Sequence, residues 1–259
     1  MSGKLRVEHD RPIGRMVFDS PARRNAISGD MWRAIPKAMA DFDADPEIRS
    51  IVLRGEGTVA FAAGADISEF ETRRSSEGSV KEYDGLVEAA QHAIEASPKP
   101  VIALIHGFCI GGGVEMALAC DLRYAADSSQ FAIPAARLGV GYGMHGTNRL
   151  VATVGHGVAR EIMFSGRRYS AQDALVMGLV NRVLPADELD DYVRRLALEL
   201  AANAPLSIEA SKRIINTVID AQGDFTTENE LTARCMQSED YKEGRRAFME
   251  KRAPRFKGK

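Results

Sequence analysis

Cysteine is scarce in this chain of 259 residues: Cys109, Cys120 and Cys235 are all it has, and no two form a CxxC pair. An odd count without paired spacing speaks against a disulfide framework and leaves free thiols in a reducing compartment as the simplest account. A long apolar run is also missing, since none approaches the roughly 18 residues that cross a bilayer. The opening MSGKLRVEHDRP lacks an apolar h-region, so no signal peptide is expected and the protein is read as cytoplasmic. Neither sign of charge dominates. Lys and Arg number 34 against 36 Asp and Glu, a net −2 that gives no global pull toward nucleic acid or an anionic membrane. His9, His92, His106 and His156 are scattered, without HxxxH or Cys/His ligand spacing, so no metal is expected. A Gly-x-Ser-x-Gly elbow and a Walker A motif are both absent, which leaves serine-hydrolase and nucleotide-triphosphatase chemistry without support.

What remains is an ordinary globular composition, 45% hydrophobic and 27% charged, long enough for one large domain or a domain with an appendage. RMVF (Arg15 to Phe18), SIVLRG (Ser50 to Gly55) and VIALIHG (Val101 to Gly107) read as strands, the last apolar on both faces. Trp32, Ile35, Met39 and Phe42 recur at helical spacing, with Pro36 either kinking that helix or marking its start. VEMALACDL reads as a buried helix, and RYAA and SQFAI as short strands. SAQDALVMG has a Ser-x-x-Asp start and a terminal glycine, the marks of a capped helix. From about Asp187 the pattern is helical, in ELDDYVRRLALELAAN, PLSIEASKRIINTVID and SEDYKEGRRAFMEKR. Strands with helices followed by helices alone predict an α/β body with a helical appendage, the boundary falling near Leu184 to Leu189. The polar, aperiodic Glu71 to Gly85 stretch is expected to be a mobile loop. The last 18 residues hold eight Lys or Arg against two Glu, either a solvated tail or a site for an anionic group.

Three glycine-bearing segments carry the candidate chemistry. In CIGGGVEMALAC, Gly111, Gly112 and Gly113 link a strand to a helix. Such a turn either packs tightly or presents backbone N–H groups and a helix N-terminus to an anion. Glu115 falls in the first turn of that helix, where the dipole favours a carboxylate. Desolvation among Val114, Met116, Ala117 and Leu118 would raise its pKa toward a range useful for a general acid or base. FAAGADISEF lies beyond the end of a strand, and its small residues also expose main chain. In IPAARLGVGYGMHGTNRL, Gly141, Gly143 and Gly146 match G-x-G-x-x-G with Glu161 twenty residues past Gly141. No opening strand precedes them, and Glu161 sits in a helical stretch, so the likeness to a dinucleotide site is superficial. His145 lies in this loop, either at the surface or turned inward.

Taken together and in this order, PARRNAIS, FAAGADISEF, KPVIALIHGFCIGGGVEMALACDLRYA, FAIPAARLGVGYGMHGTNRL and SAQDALVMGLVNRVLP resemble the crotonase, or enoyl-CoA hydratase/isomerase, family. The likeness continues into EGRRAFMEKRAPRF and covers nearly the whole chain. It implies an α/β fold: a crotonase-like spiral of repeated ββα units over residues 1–187. A C-terminal α-helical trimerisation region would follow over residues 188–259, forming homotrimers or hexamers. It implies an acyl-CoA thioester as substrate, no cofactor beyond its CoA moiety, no metal, and no nucleic-acid or membrane partner. The resemblance assigns the amides of Ala65 and Gly112 to the thioester oxygen as it becomes enolate-like, and Glu115 to a general base that activates water. A second family glutamate normally follows the proline of Pro-Glu-x-x-x-Gly; here the segment is Pro134-Ala135-Ala136-Arg137-Leu138-Gly139. With Ala135 there, the proton for Cα would come from Glu115 itself, from water, or from Tyr142 or His145. The likeness also places Arg24, Ala63, Asp66, Ile67, Phe256 and Lys257 near CoA. Hydration of a 2-enoyl-CoA, or its reverse, is the expected activity. The alternative is another reaction on the same site: decarboxylase, lyase, racemase or dehydratase, isomerase or thioester hydrolase. A non-catalytic acyl-CoA binder is the third reading.

Overall fold

Short runs rich in valine, isoleucine and leucine pair as parallel strands when both of their faces are covered. The computed structural model of the chain describes residues 3–65, 77–220 and 226–259. One sheet takes β1 (Lys4–Asp10), β2 (Ile13–Asp19), β3 (Ser50–Gly55), β5 (Val101–Ile105), β7 (Leu122–Ala126) and β10 (Arg182–Leu184) in that order. β1 and β2 are an antiparallel hairpin, and every later neighbour is parallel. A second sheet orders β4 (Ala60–Ala62), β6 (Phe108–Ile110), β8 (Gln130–Ala132) and β9 (Tyr169–Ser170). The chain lays one strand in each sheet and then a helix, and repeats this. β3 and β4 lead to α2 (Glu77–Ala96), β5 and β6 to α3 (Gly112–Ala119), β7 and β8 to α4 (Ala135–Leu138). This is the expected ββα spiral.

The remaining helices are α1 (Gly29–Ala44), α5 (Met144–Ser165, bent at Gly155), α6 (Ala171–Val176), α7 (Leu189–Ala202), α8 (Pro205–Asp220), α9 (Thr226–Gln237) and α10 (Glu239–Glu250). α6 starts with the anticipated capping box: Asp173 N donates to Ser170 Oγ at 3.1 Å and Ser170 N to Asp173 Oδ2 at 2.9 Å. The period of two sends alternate side chains of β3 to different cores. Ile51 and Leu53 join Trp32, Phe18, Phe61 and Ala103 inside the spiral. Val52 joins Ile13, Ile102, Leu104 and Tyr124 on the other face, which Leu189, Val193 and Ala197 of α7 cover. Among the described residues no helix is long and apolar enough to cross a membrane.

Several local expectations are corrected. Pro36 lies inside α1, which starts earlier, where Met31 N donates to the Ser28 cap oxygen at 3.3 Å. Residues 77–85 are helical rather than loop, and 71–76 lie outside the described residues. Tyr83, Ala90 and Ile94 are buried, with Leu86 and Val87 packed beside them; this is a helical stripe that the polar residues around it obscured. α9 carries too weak an apolar stripe to be read from its sequence. The strands β4, β6, β9 and β10 are two or three residues long, too short to show a period.

Polar ties fasten α7 to the spiral. His106, 3% exposed, has its Nε2 2.6 Å from Asp190 Oδ2, and Arg54 also bonds to Asp190. Ser50 Oγ donates to Ala197 O at 3.0 Å, and Arg194 meets Asp10 at 2.6 Å. The His106 hydrogen bond holds the Asp190 carboxyl below its ordinary value, with Arg54 adding to it. A depressed folded pKa contributes stability above the unfolded value of about 4, and the contribution is lost as pH falls through the folded one. Asp190→Asn is therefore expected to lower the thermal midpoint at neutral pH and to flatten its fall in acid. The loss should be about 1–3 kcal/mol for an unpaired buried ring, and scanning calorimetry across pH checks both.

Candidate active site

The site begins with a register. β4 and β6 are parallel, with Ala62 opposite Cys109, so the chain leaves both strands side by side. Ala65 and Gly112 each stand three residues beyond that pair. The next strand repeats the step: Ile110 pairs with Ala132, and Ala135 stands three residues further on.

The PARRNAIS segment holds the first loop. Ala63 N donates to Arg24 O at 3.0 Å and Ile27 N to Gly64 O at 2.8 Å. Buried Asn25 donates from Nδ2 to Ala60 O at 2.7 Å, and its Oδ1 accepts from Ser20 N at 3.1 Å. Arg24 (φ 51°) and Asn25 (φ 55°) both sit in the left-handed region, a strain the surrounding bonds must offset. The second loop is shaped by glycine. Gly111 takes φ 52° and ψ −116°, closed to side chains, while its N–H donates to Ala132 O at 2.8 Å. A Cβ on Gly113 would lie 2.3 Å from Ala62 O, so only glycine lets α3 press against the end of β4. α3 is buried along nearly its whole length, as its sequence suggests. Half-buried Arg123 closes its far end, donating from Nη1 to Cys120 O at 2.7 Å and to Ala117 O at 3.4 Å.

The amides of Ala65 and Gly112 converge. A Cβ built on Gly112 would lie 3.5 Å from Ala65 N and 3.8 Å from Glu115 Oε2. A Cβ sits about 2.5 Å from its own nitrogen, so the two nitrogens lie within about 6 Å of each other. That separation lets two donors share one oxygen at about 2.7–3.2 Å from each. Both residues are part exposed, and among the described residues neither amide donates to a protein acceptor. Trp32, fully buried, backs the loop with Cζ2 3.4 Å from that same Cβ position and donates from Nε1 to Tyr83 Oη at 2.9 Å.

Half-buried Glu115 lies between two neighbours. Its Oε2 faces Gly112. A Cβ on Gly146 would meet Oε1 at 2.9 Å and Tyr142 Cε1 at 3.0 Å. The Tyr142 hydroxyl is enclosed and meets the Glu115 carboxylate at less than regular hydrogen-bond geometry, while the residue as a whole is part exposed. Burial, and then the Glu115 charge, hold its proton well above the ordinary phenol range. His145 is placed elsewhere: its Nε2 is 3.1 Å from both oxygens of Glu95, which is 6% exposed and also meets Arg149 Nη2 at 2.7 Å. A cavity of about 550 Å³ between α3's C-terminal half, α5, α7 and α8 reaches Glu95 and Arg149, but Ala65, Gly112 and Glu115 are not in its walls. The G-x-G-x-x-G loop runs from α4 into α5 with no strand ahead of it.

The other candidates divide. Arg24 stacks over Phe108 at 4.9 Å, and so does Arg168 at 5.3 Å, a residue the sequence did not single out. Among the described residues neither guanidinium has a carboxylate partner. Asp66 and Ile67 lie outside the described residues. Phe256 and Lys257 are fastened to α10: the Phe256 ring faces Gly244, and Lys257 N donates to buried Asp240 at 2.6 Å. They are not among the residues gathered at the two loops. Ala135 is buried and opens α4 with no carboxylate. Burial raises both the Cys109 and the Cys120 thiols, the latter to about 12, so neither supplies a thiolate. Among the described residues no group of three His, Cys, Asp or Glu could hold a metal.

A family model described as enoyl-CoA hydratase/isomerase matches residues 8–259. The chain belongs to the enoyl-CoA hydratase/isomerase family. A short-chain-enoyl-CoA hydratase of Clostridium acetobutylicum is 33% identical over 248 residues, which are 95% of this chain and 94% of that one. A crotonyl-CoA hydratase of Syntrophomonas wolfei is 32% identical over 96% of each chain. A crystal structure of an enoyl-CoA hydratase/carnithine racemase from Magnetospirillum magneticum superposes with a TM-score of 0.95 at 36% identity, covering 98% of this chain and 96% of that one. The crotonase-type fold expected from the sequence is therefore the fold of this family member.

Gly113→Ala tests the close approach of α3 to β4. The added methyl must displace main chain, so a loss of about 1–3 kcal/mol is expected from overpacking, read as a lower midpoint in denaturant unfolding. Unchanged stability would contradict the contact.

Proposed function

We propose that the chain adds water across the double bond of a 2-enoyl-CoA thioester, or runs the reverse. The observation that carries this reading is the pair of main-chain amides within reach of one oxygen, with a carboxylate beside them. A thioester oxygen between Ala65 N and Gly112 N gains hydrogen bonds as it takes up charge, each donor being worth about 3–4 kcal/mol of barrier. The N-terminus of α3 adds its partial positive charge to the same point. Glu115 takes a proton from the water that attacks Cβ. The hydratase relatives support the same chemistry.

The CoA moiety brings roughly four negative charges. Arg24 and Arg168, free of carboxylate partners among the described residues, are suited to meet its phosphates. Ala63, Asp66 and Ile67 would line its path. Phe256 and Lys257, tied to α10 in their own chain, would approach CoA across a subunit boundary. Exposed Ile215, Val218, Phe248 and Met249 in the region 188–259 support association of copies as trimers or hexamers. Three free cysteines support a reducing, cytoplasmic setting.

Ala135 favours a second reading in which the amide pair serves another acyl-CoA reaction: decarboxylation, lyase cleavage, racemisation or dehydration, isomerisation or thioester hydrolysis. The two are separated by following crotonyl-CoA through loss of conjugated-thioester absorbance, with products weighed by mass spectrometry. The first reading expects 3-hydroxybutyryl-CoA as the sole product, and a fall of about 10²–10⁴-fold in kcat for Glu115→Gln. A Glu115→Gln enzyme as fast as wild type would remove Glu115 as the base. CoA binding without turnover of any thioester would leave a binding protein.

A further inference from the structure

Adding water across a double bond moves two protons: one leaves the water and one arrives at Cα. Glu115 accounts for the first. The position where a second carboxylate would stand, three residues beyond Ala132, is occupied by the methyl of Ala135. We propose that the Tyr142 hydroxyl is the catalytic group that protonates Cα, with Glu115 reloading it. The proposal rests on the hydratase reading and names the proton donor of that site.

Three observations carry it. Tyr142 and Glu115 are neighbours, since one Cβ position on Gly146 would touch Oε1 of the carboxylate and Cε1 of the ring. The opposite carboxylate oxygen faces Gly112, so Glu115 lies between the oxyanion position and Tyr142. The Tyr142 hydroxyl is buried, and the group it meets, at less than regular hydrogen-bond geometry, is the Glu115 carboxylate. Its polar neighbour is the Glu115 carboxylate, so the proton that would leave the hydroxyl has a carboxylate beside it to replace it. His145, the other protonatable side chain of this loop, is held by Glu95 instead.

The step balances. The water oxygen bonds to Cβ and its proton goes to Glu115. The π electrons move toward Cα and the thioester oxygen. The Tyr142 O–H breaks and its proton forms the new Cα–H bond. The phenolate then takes the proton from the Glu115 carboxylic acid, restoring both groups. Tyr142 keeps its proton at neutral pH beside the carboxylate, because burial and the Glu115 charge both oppose ionisation. An ordinary phenol is a stronger acid than the Cα–H of a free thioester, which gives the transfer to the enolate its direction.

The test is exchange at Cα in deuterated water with butyryl-CoA, a saturated thioester that cannot be hydrated, followed by mass. Wild type is expected to incorporate deuterium by the reverse of the donation step: Glu115 takes the Tyr142 proton, the phenolate removes one from Cα, and a deuteron acquired from solvent returns by the same route. Tyr142→Phe should do so at least about 100-fold more slowly, the usual scale for losing a positioned acid, with butyryl-CoA affinity within about threefold of wild type on the same scale. The Phe variant should also stay folded, because it keeps the packed ring and deletes only a hydroxyl poorly aligned on Glu115. Exchange within threefold of wild type, no exchange by wild type, or a variant that unfolds would each overturn the proposal. Tyrosine-dependent exchange by an enzyme that leaves crotonyl-CoA unhydrated would sink the hydratase reading and keep the donor.

Discussion

Everything at the site follows from two three-residue strands lying parallel. With Ala62 opposite Cys109, the main chain emerges from β4 and β6 in step, and three residues later two amides stand side by side. The spiral makes this possible, since each turn adds one strand to the small sheet in the same direction. A chain that paired these strands antiparallel would send the two loops to opposite edges. The donors belong to the backbone, so side-chain change can misplace them but cannot delete them.

Holding the amides in place takes more structure than the amides themselves. Asn25 and the strained turn at Arg24 lock one loop from below. Gly111 bends the other, Gly113 lets it close up, and Arg123 anchors the far end of α3 by its carbonyls. Preorganised donors of this kind need not reorient as charge develops, which is why they lower barriers more than mobile water does. The buried Glu95 cluster extends the same framework into α5, fixing His145 and Arg149 and so the helix whose first turn carries Gly146 past Glu115.

The sequence made the long elements legible. β3, β5, α3, α6 and α7 follow from runs, capping and period, and the ββα spiral from a family resemblance carried by glycine motifs. The small sheet was not legible, because strands such as Ala60–Ala62 and Phe108–Ile110 are shorter than any pattern they could display. Yet that sheet sets the register on which the site depends. Glu115 stood out as one carboxylate in an apolar helix. Trp32 did not, because a core aromatic at helical spacing looks the same whether or not it backs a catalytic loop. Arg168 was hidden because its meeting with Arg24 over Phe108 spans distant parts of the chain. His145 and Tyr142 were equivalent on the page of the sequence, three residues apart in one loop; packing alone sent one to Glu95 and the other to Glu115.

The most direct measurement is a crystal structure of the protein with acetoacetyl-CoA, whose enolisable thioester resembles the charge-bearing state. The account predicts the thioester oxygen within about 3.2 Å of both Ala65 N and Gly112 N, the limit for good N–H···O hydrogen bonds. An oxygen bound by one of these amides alone, or by neither, would contradict it.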